Sequence, residues 1–239
     1  MPRYRNYIFD LYGTLADIRT NEASPRFWRL MALYFGYHGA GYTAPELREA
    51  YLRLCKEEQA KSPDPLFEIE LRRVFRSLYR EKGVGVGSRL VEETARAFRL
   101  TSTEKLKLYP WVKPVLGSIR EQGAGVFLLS NAQACFTHAE LRSLGIDGAF
   151  DAAVLSSEVG MKKPSPAIMS ALLEGAGLDP KDCIMVGNDR QSDIALANSF
   201  GMDSLYIKTE TSGEQDPVIR ATYELPDGRF TRIPGILGL

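Results

Sequence analysis

Histidine is almost missing from this chain. Two residues, His38 and His138, leave little material for a histidine-based metal cluster or a histidine-dependent triad. Cysteine is scarce too. Cys55, Cys135 and Cys183 are odd in number, lie far apart and form no Cys-x-x-Cys pair, which argues against a disulfide framework and a zinc ribbon. No apolar run approaches the ~20 residues that span a bilayer. The opening segment lacks the long apolar stretch of a signal peptide. Excess charge of one sign is also absent. Thirty Lys and Arg balance thirty Asp and Glu, so no broad basic field recruits nucleic acid or an anionic membrane. The expectation is a soluble, cytoplasmic protein with no nucleic-acid or membrane partner, whose chemistry uses carboxylates. No motif sets an oligomeric state.

What is present has globular proportions. The 239 residues are 44% hydrophobic and 25% charged, enough for a sizeable core. Short apolar runs recur: Tyr7-Ile8-Phe9, Val126-Phe127-Leu128-Leu129, Ala152-Ala153-Val154-Leu155, Cys183-Ile184-Met185-Val186 and Leu205-Tyr206-Ile207. Unbroken apolar runs of this length suit strands buried on both faces, as in a parallel sheet. Helical patterns separate the last four. Val112, Leu116 and Ile119 share one face before Gly123, Ser165-Pro166 opens a second helix, and a third spans about 191–200. Single helices alternating with strands predict an α/β fold built on a Rossmann-like parallel sheet.

The first strand breaks this rhythm. More than 100 residues separate Phe9 from Val126, and most carry helical patterns. Ser24-Pro25 starts a run with Phe27, Trp28, Met31 and Phe35. Thr43 with Glu46 forms a capping-box pattern, followed by Leu47, Ala50, Tyr51 and Leu54 at helical spacing. Asp64-Pro65 is expected to open a third helix and Ser88 a fourth. These predict a helical bundle, 17–105, inserted in an α/β core formed by 1–16 and 106–239. A short late strand is expected at 221–225.

Ligands in open α/β sheets bind at the carboxyl ends of the strands, so the residues there are the ones to inspect. The first strand ends in Asp10-Leu11-Tyr12-Gly13-Thr14-Leu15, and the second in Ser130-Asn131. Gly160 to Pro166, with Lys162 and Lys163, follows the third. Gly187-Asn188-Asp189-Arg190-Gln191-Ser192-Asp193 follows the fourth. Singly, Asp10 reads as a turn residue, Ser130 and Asp189 as helix caps, and Lys163 as a solvated lysine. Together they supply a nucleophile, a small hydroxyl donor, a cation and paired acids.

In order and spacing, the four endings resemble the four motifs of the haloacid dehalogenase (HAD) superfamily of hydrolases, across roughly residues 4–208. The helical insert falls where that family carries its helical cap. The resemblance implies that Asp10 is the nucleophile, forming an acyl-phosphate with a phosphate substrate, and that Gly13 and Thr14 form the turn after it. It implies that the Ser130 hydroxyl and the Asn131 backbone N–H hold phosphoryl oxygens. Lys163 is implied to pair with both nucleophile and phosphoryl group, with Lys162 a lesser alternative. Asp189 and Asp193 match the acidic pair of the last motif. Three converging aspartates resist joint ionisation, and a hard cation relieves that conflict. Magnesium is therefore expected on Asp10, the Tyr12 main-chain carbonyl and Asp189, with Asp193 direct or through water. The expected function is a magnesium-dependent phosphatase of a small phosphorylated metabolite.

Two residues depart from the family pattern. Tyr12 stands where phosphatases of the family usually carry an aspartate that serves as acid and base. Asn188 precedes Asp189 where the family often has Gly-Asp, so Asn188 is an alternative for the first acidic position. The four-residue step from Asp189 to Asp193 favours Asp189. The Asp-x-Tyr-Gly-Thr pattern resembles the metal-independent 2-haloacid dehalogenase branch, which leaves that activity as a competitor. A catalytically weak protein that binds a phosphorylated ligand is a second. Elsewhere, Trp28, Phe35, Tyr51 and Phe75 read as core of the helical insert, His138 as partly exposed and Arg72-Arg73-Arg76-Arg80 as a solvated face.

Overall fold

The apolar runs form the strands of one parallel sheet. The computed structural model describes residues 3–214 and 216–239. The chain begins with β1 (Asn6–Phe9) and β2 (Ala16–Thr20), then four helices: α1 (Pro25–Tyr37), α2 (Ala44–Gln59), α3 (Leu71–Glu81) and α4 (Ser88–Ser102). It returns through β3 (Thr103–Leu108) and α5 (Val112–Glu121) to β4 (Gly125–Ser130) and α6 (Ala134–Leu144). There follow β5 (Ala152–Leu155), α7 (Ser156–Val159), α8 (Pro166–Ala176) and β6 (Cys183–Gly187). The chain ends with α9 (Ala195–Ser199), β7 (Asp203–Ile207), β8 (Tyr223–Leu225) and α10 (Ile233–Leu237).

The main sheet has the order β5-β4-β1-β6-β7-β8, and every pairing in it is parallel. Alternation along each strand explains why the runs are apolar throughout. Tyr7, Phe9, Val126, Leu128, Ile184 and Val186 join a core on one face, while Ile8, Phe127, Leu129 and Met185 join Ile168, Met169 and Leu172 on the other. Burying both faces removes any need for polar alternation. Because β1 lies between β4 and β6, the connections leave it in opposite directions, and a crevice opens beyond the ends of these three strands.

The helical insert has a core of its own, with Phe27, Trp28, Phe35, Leu47, Phe75 and Phe98 all almost fully buried. The Thr43–Glu46 capping box is formed at the start of α2. Two expectations need correction. The insert is not helical to its ends, because β2 and β3 pair antiparallel as a two-stranded stem beneath it. Charged residues along the stem hid it: buried Asp17 is paired with Lys105 and Lys107. The third helix begins at Leu71 rather than at Asp64-Pro65. Residues 64–70 instead reach the core. Leu66 O accepts from Lys162 N at 2.7 Å, and Glu68 N donates to Gly160 O at 2.9 Å. Those backbone groups are therefore spent across the lobes rather than along a helix.

The expected helix over 191–200 opens with a π-helical turn, Arg190–Ile194, before α9. Among the described residues, no helix is long and apolar enough to cross a membrane.

Candidate active site

Asp10 follows β1 and is held from three sides. Its Oδ1 accepts from Lys163 Nζ at 2.8 Å and from the Ser130 hydroxyl at 3.2 Å, and its Oδ2 accepts from the Thr14 hydroxyl at 2.9 Å. These partners come from the end of β4, the segment before α8 and the turn after β1. That turn requires glycine. Gly13 has φ +85°, and a Cβ there would lie 2.2 Å from Thr211 Oγ1 and 2.4 Å from Asn188 Nδ2.

Lys163 is buried against acceptors. Its ammonium donates to Leu129 O at 2.8 Å and lies 2.7 Å from Asp193 Oδ1. Burial works against the charged ammonium, but Asp10 and Asp193 outweigh it and hold the pKa above the usual lysine value. Burial pushes the Asp193 carboxyl up to about 7, with Lys163 opposing the rise and Asp10 adding to it. Asp193 approaches because Gly187 has no side chain, since a Cβ there would meet Asp193 Oδ2 at 2.2 Å. Asn131 secures the lysine's main chain. Its Oδ1 accepts from Lys163 N at 2.6 Å, and its Nδ2 donates to Lys163 O at 3.2 Å.

The last motif is set differently from the sequence expectation. The Asp189 carboxylate does not join Asp10 and Asp193. It accepts from Gln191 N at 2.9 Å and caps the π-helical turn, while its own N–H donates to Asp193 Oδ2 at 3.1 Å. Asn188 faces the site instead. Its Oδ1 accepts from the Thr14 hydroxyl at 3.2 Å, and its Nδ2 donates to Thr211 Oγ1 at 3.1 Å and Thr209 Oγ1 at 3.3 Å. The extra residue in the π-turn accounts for the shift. It carries Asp193 back over the sheet while Asp189, one step past β6, turns to the helix start.

The Tyr12 hydroxyl is bonded to residues other than Asp10. It donates to Glu140 and lies 3.0 Å from Thr137 Oγ1. Glu140 in turn accepts from Arg99 Nε at 2.6 Å, and the Arg99 guanidinium lies over the Tyr12 ring. Burial, with Glu140 adding to it, pushes the phenol well above its ordinary pKa. Arg99 is on α4 and Glu140 on α6, so this network joins the helical insert to the core. Of the other residues considered, Cys135 is buried, His138 is half-exposed beside Glu158, and Arg72 is paired with Glu70 and Glu92.

A cavity of about 330 Å³ adjoins the site between insert and core. Tyr12 and Asn131 form part of its wall, with Glu68, Arg99 and Gln133. A larger cavity, about 1080 Å³, lies on the outer side of the insert between α1 and α2, lined by none of the motif residues.

The site's donors can be tested against a hard cation. Among the described residues, no group of three or more His, Cys, Asp or Glu side chains is placed to hold a metal. Two carboxylates, Asp10 and Asp193, nevertheless face one ammonium, which leaves negative charge uncompensated when both are ionised. Asn188 Oδ1 is linked to Asp10 through the shared Thr14 hydroxyl. The side chains are all oxygen donors of the type magnesium takes, so they fit that ion with one carboxylate fewer than expected.

Comparison with known proteins bears on the family rather than on individual residues. The chain is 31% identical over 160 residues to a glyceraldehyde 3-phosphate phosphatase of Methanopyrus kandleri, covering 67% of this chain and 68% of the relative. It superposes on a 2-haloacid dehalogenase of Pseudomonas syringae with a TM-score of 0.64 at 22% identity, covering 98% of each chain. A magnesium-bound HAD-hydrolase of Bacillus subtilis gives a TM-score of 0.58 at 18% identity, covering 99% of this chain and 100% of that one. Residues 4–201 match the model of the haloacid dehalogenase-like hydrolases, and the chain belongs to that family of hydrolases.

Proposed function

We propose that the protein hydrolyses the phosphomonoester of a small metabolite through a covalent aspartyl-phosphate on Asp10. The observation that carries this reading is the placement of Asp10 between a fixed ammonium and two hydroxyls, at the ends of adjoining strands. A carboxylate splits one hard displacement into two easier ones, provided the transferring group is held in line. Lys163 offsets charge on Asp10 and on the incoming phosphoryl oxygens. The Ser130 hydroxyl and Asn131 N–H orient those oxygens, and Thr14 holds the second Asp10 oxygen. Fixed donors of this kind need no reorganisation when charge develops. Asp10, the Tyr12 main-chain carbonyl, Asn188 and Asp193 would hold magnesium, which would supply further positive charge against the phosphoryl group. The phosphatase names of relatives at 24–32% identity support the phosphate reading. The small cavity beneath the insert, acting as a cap, supports a metabolite over a polymer.

A second reading, halide displacement from a 2-haloacid, gains from one observation. With Asp189 turned away and Asn188 in its place, the site holds one carboxylate fewer than a magnesium site was expected to have, which favours a displacement that needs no metal. One experiment tests both. Phosphate esters and 2-haloacids are supplied to the parent and to Asp10→Asn, with magnesium and with a chelator. The proposal expects magnesium-dependent phosphate release that Asp10→Asn abolishes. Halide release unaffected by the chelator replaces it with the second reading.

A further inference from the structure

Phosphatases acting through an aspartate need a proton for the departing alkoxide. The position two residues after Asp10 cannot supply it here, because the Tyr12 hydroxyl is committed to Glu140. Another donor must reach the leaving group from the cavity wall. Glu68 is the single carboxylic acid among the residues lining the cavity that Tyr12 and Asn131 share. It sits on the 64–70 segment, which the sequence had suggested would be helical and which instead crosses to the core.

Glu68 is held as a working group should be. Its backbone N–H is fixed to Gly160 O at 2.9 Å, on the segment leading to Lys163. Its Oε2 accepts from the Ser156 hydroxyl at 2.8 Å, and its Oε1 from Gln133 Nε2 at 3.2 Å. Gln133 is itself locked, donating to Ile69 O at 2.7 Å and accepting from Leu71 N at 3.0 Å. Those bonds occupy one site on each carboxyl oxygen, and the Ile69 N–H takes a third. A carboxylate offers about four in all, so one remains for a proton.

We propose that Glu68 is the acid that protonates the leaving group, and then the base that activates water. This rests on the phosphomonoester reading above. In the first step Asp10 forms its bond to phosphorus as the bond to the ester oxygen breaks, and that oxygen takes the Glu68 proton. In the second step Glu68 carboxylate takes a proton from the water that attacks the aspartyl-phosphate, releasing phosphate and restoring Asp10.

The surroundings suit the protonated form. Burial raises the Glu68 pKa above its ordinary value, opposed by the Ser156 hydrogen bond, by Lys162 from the core loop, and by Gln133 and the Ile69 N–H. Arg99, Tyr12, Tyr51 and Cys55 are the other charged or titratable groups lining the cavity. Burial pushes the Cys55 thiol up to about 11, which leaves it a poor acid beside a carboxyl group.

The test is Glu68→Gln, assayed on an alkyl phosphate and on an aryl phosphate whose leaving group needs no proton. Loss of a positioned acid should lower alkyl-phosphate kcat/KM, which reports formation of the aspartyl-phosphate, by about 10²–10⁴-fold, while aryl-phosphate kcat/KM changes far less. On the aryl ester kcat should fall, because hydrolysis of the shared intermediate loses its base. The basic limb of the parent's kcat/KM profile on the alkyl ester should vanish in the variant. Retained aryl kcat/KM shows the site still folded. Equal losses of kcat/KM on both esters, or no loss on either, overturn the role of Glu68 alone. A parent inactive on every phosphate ester overturns the phosphomonoester reading, and the proposal with it.

Discussion

Lys163 Nζ lies 2.7 Å from Asp193 Oδ1, and both side chains are 1% exposed. Two charges so far from water gain little from each other beyond the cost of removing them from solvent. Deleting one partner is what becomes expensive. Lys163→Met should therefore lower stability by about 3–5 kcal/mol, because it strands Asp193 and Asp10 together. Adding Asp193→Asn to Lys163→Met should recover part of that loss. Denaturant unfolding of the parent, the single and the double variants measures it. A single variant within 1 kcal/mol of the parent, well below the figure for a broken buried pair, would show that the cluster does not carry this charge when folded.

The placement of Asn188 and Asp189 yields an unequal pair of outcomes. Asp189 caps a turn, so Asp189→Ala should cost about 1 kcal/mol in stability and leave magnesium affinity nearly unchanged. Asn188→Ala should weaken magnesium binding, and Asn188→Asp should strengthen it by restoring a carboxylate to the oxygen donors. Calorimetric titration with magnesium distinguishes them. Loss of binding in Asp189→Ala with binding retained in Asn188→Ala would return the acidic role to Asp189.

How much of this was legible in the sequence varied with the physics of each segment. The main strands were readable because double-faced burial leaves an unbroken apolar run, as in Tyr7 to Phe9. The capping box at Thr43 and Glu46 was readable because both partners lie within one turn. The β2–β3 stem was not, since a half-exposed ribbon stabilised by Asp17, Lys105 and Lys107 carries no such run. Asp10, Ser130 and Lys163 could be picked out by their places at strand ends. Choosing between Asn188 and Asp189 needed the path of the backbone. Four residues from Asp189 to Asp193 match one turn of an ordinary helix, whereas the chain makes a π-turn there. Glu68 gave no local signal, because its partners Ser156 and Gln133 are remote in sequence. The one available sign was Asp64-Pro65, which reads equally as a turn.

Tyr12 should prove to be structural at its hydroxyl. Tyr12→Phe removes a donor from Glu140 while leaving Arg99 on the same carboxylate. A stability loss of about 1–3 kcal/mol is expected for a buried acceptor deprived of one partner. Because the phenol is committed elsewhere and its pKa is raised, alkyl-phosphate kcat should change little. A fall of 10² or more, the scale of a lost acid, in a protein that still hydrolyses an aryl phosphate would move the proton donor back to Tyr12.

The last motif is braced from outside by Glu224, and this brace should be visible in the pH dependence of stability. Arg190 opens the π-turn that carries Asp193, and its guanidinium meets Glu224 in a two-pronged pair with both contacts at 2.9 Å. The same guanidinium lies 4.2 Å from the centre of the Tyr206 ring, so β7, β8 and the turn meet at one cation. The hydrogen bonds from Arg190 hold the Glu224 carboxyl below its ordinary value of 4.5, burial opposing them. A carboxyl lowered by folding binds its proton less tightly in the folded state than in the unfolded one. Its contribution is therefore complete above 4.5 and is lost as pH falls through the lower, folded value. Glu224→Gln should melt below the parent at neutral pH, and the gap should close as both are acidified past that window. The pair is partly exposed, so added salt should also narrow the gap at neutral pH. Melting temperatures of parent and variant from neutral pH down through that window provide the measurement. A gap that stays constant across the range would show that the Glu224 side chain acts through packing rather than through its charge on Arg190.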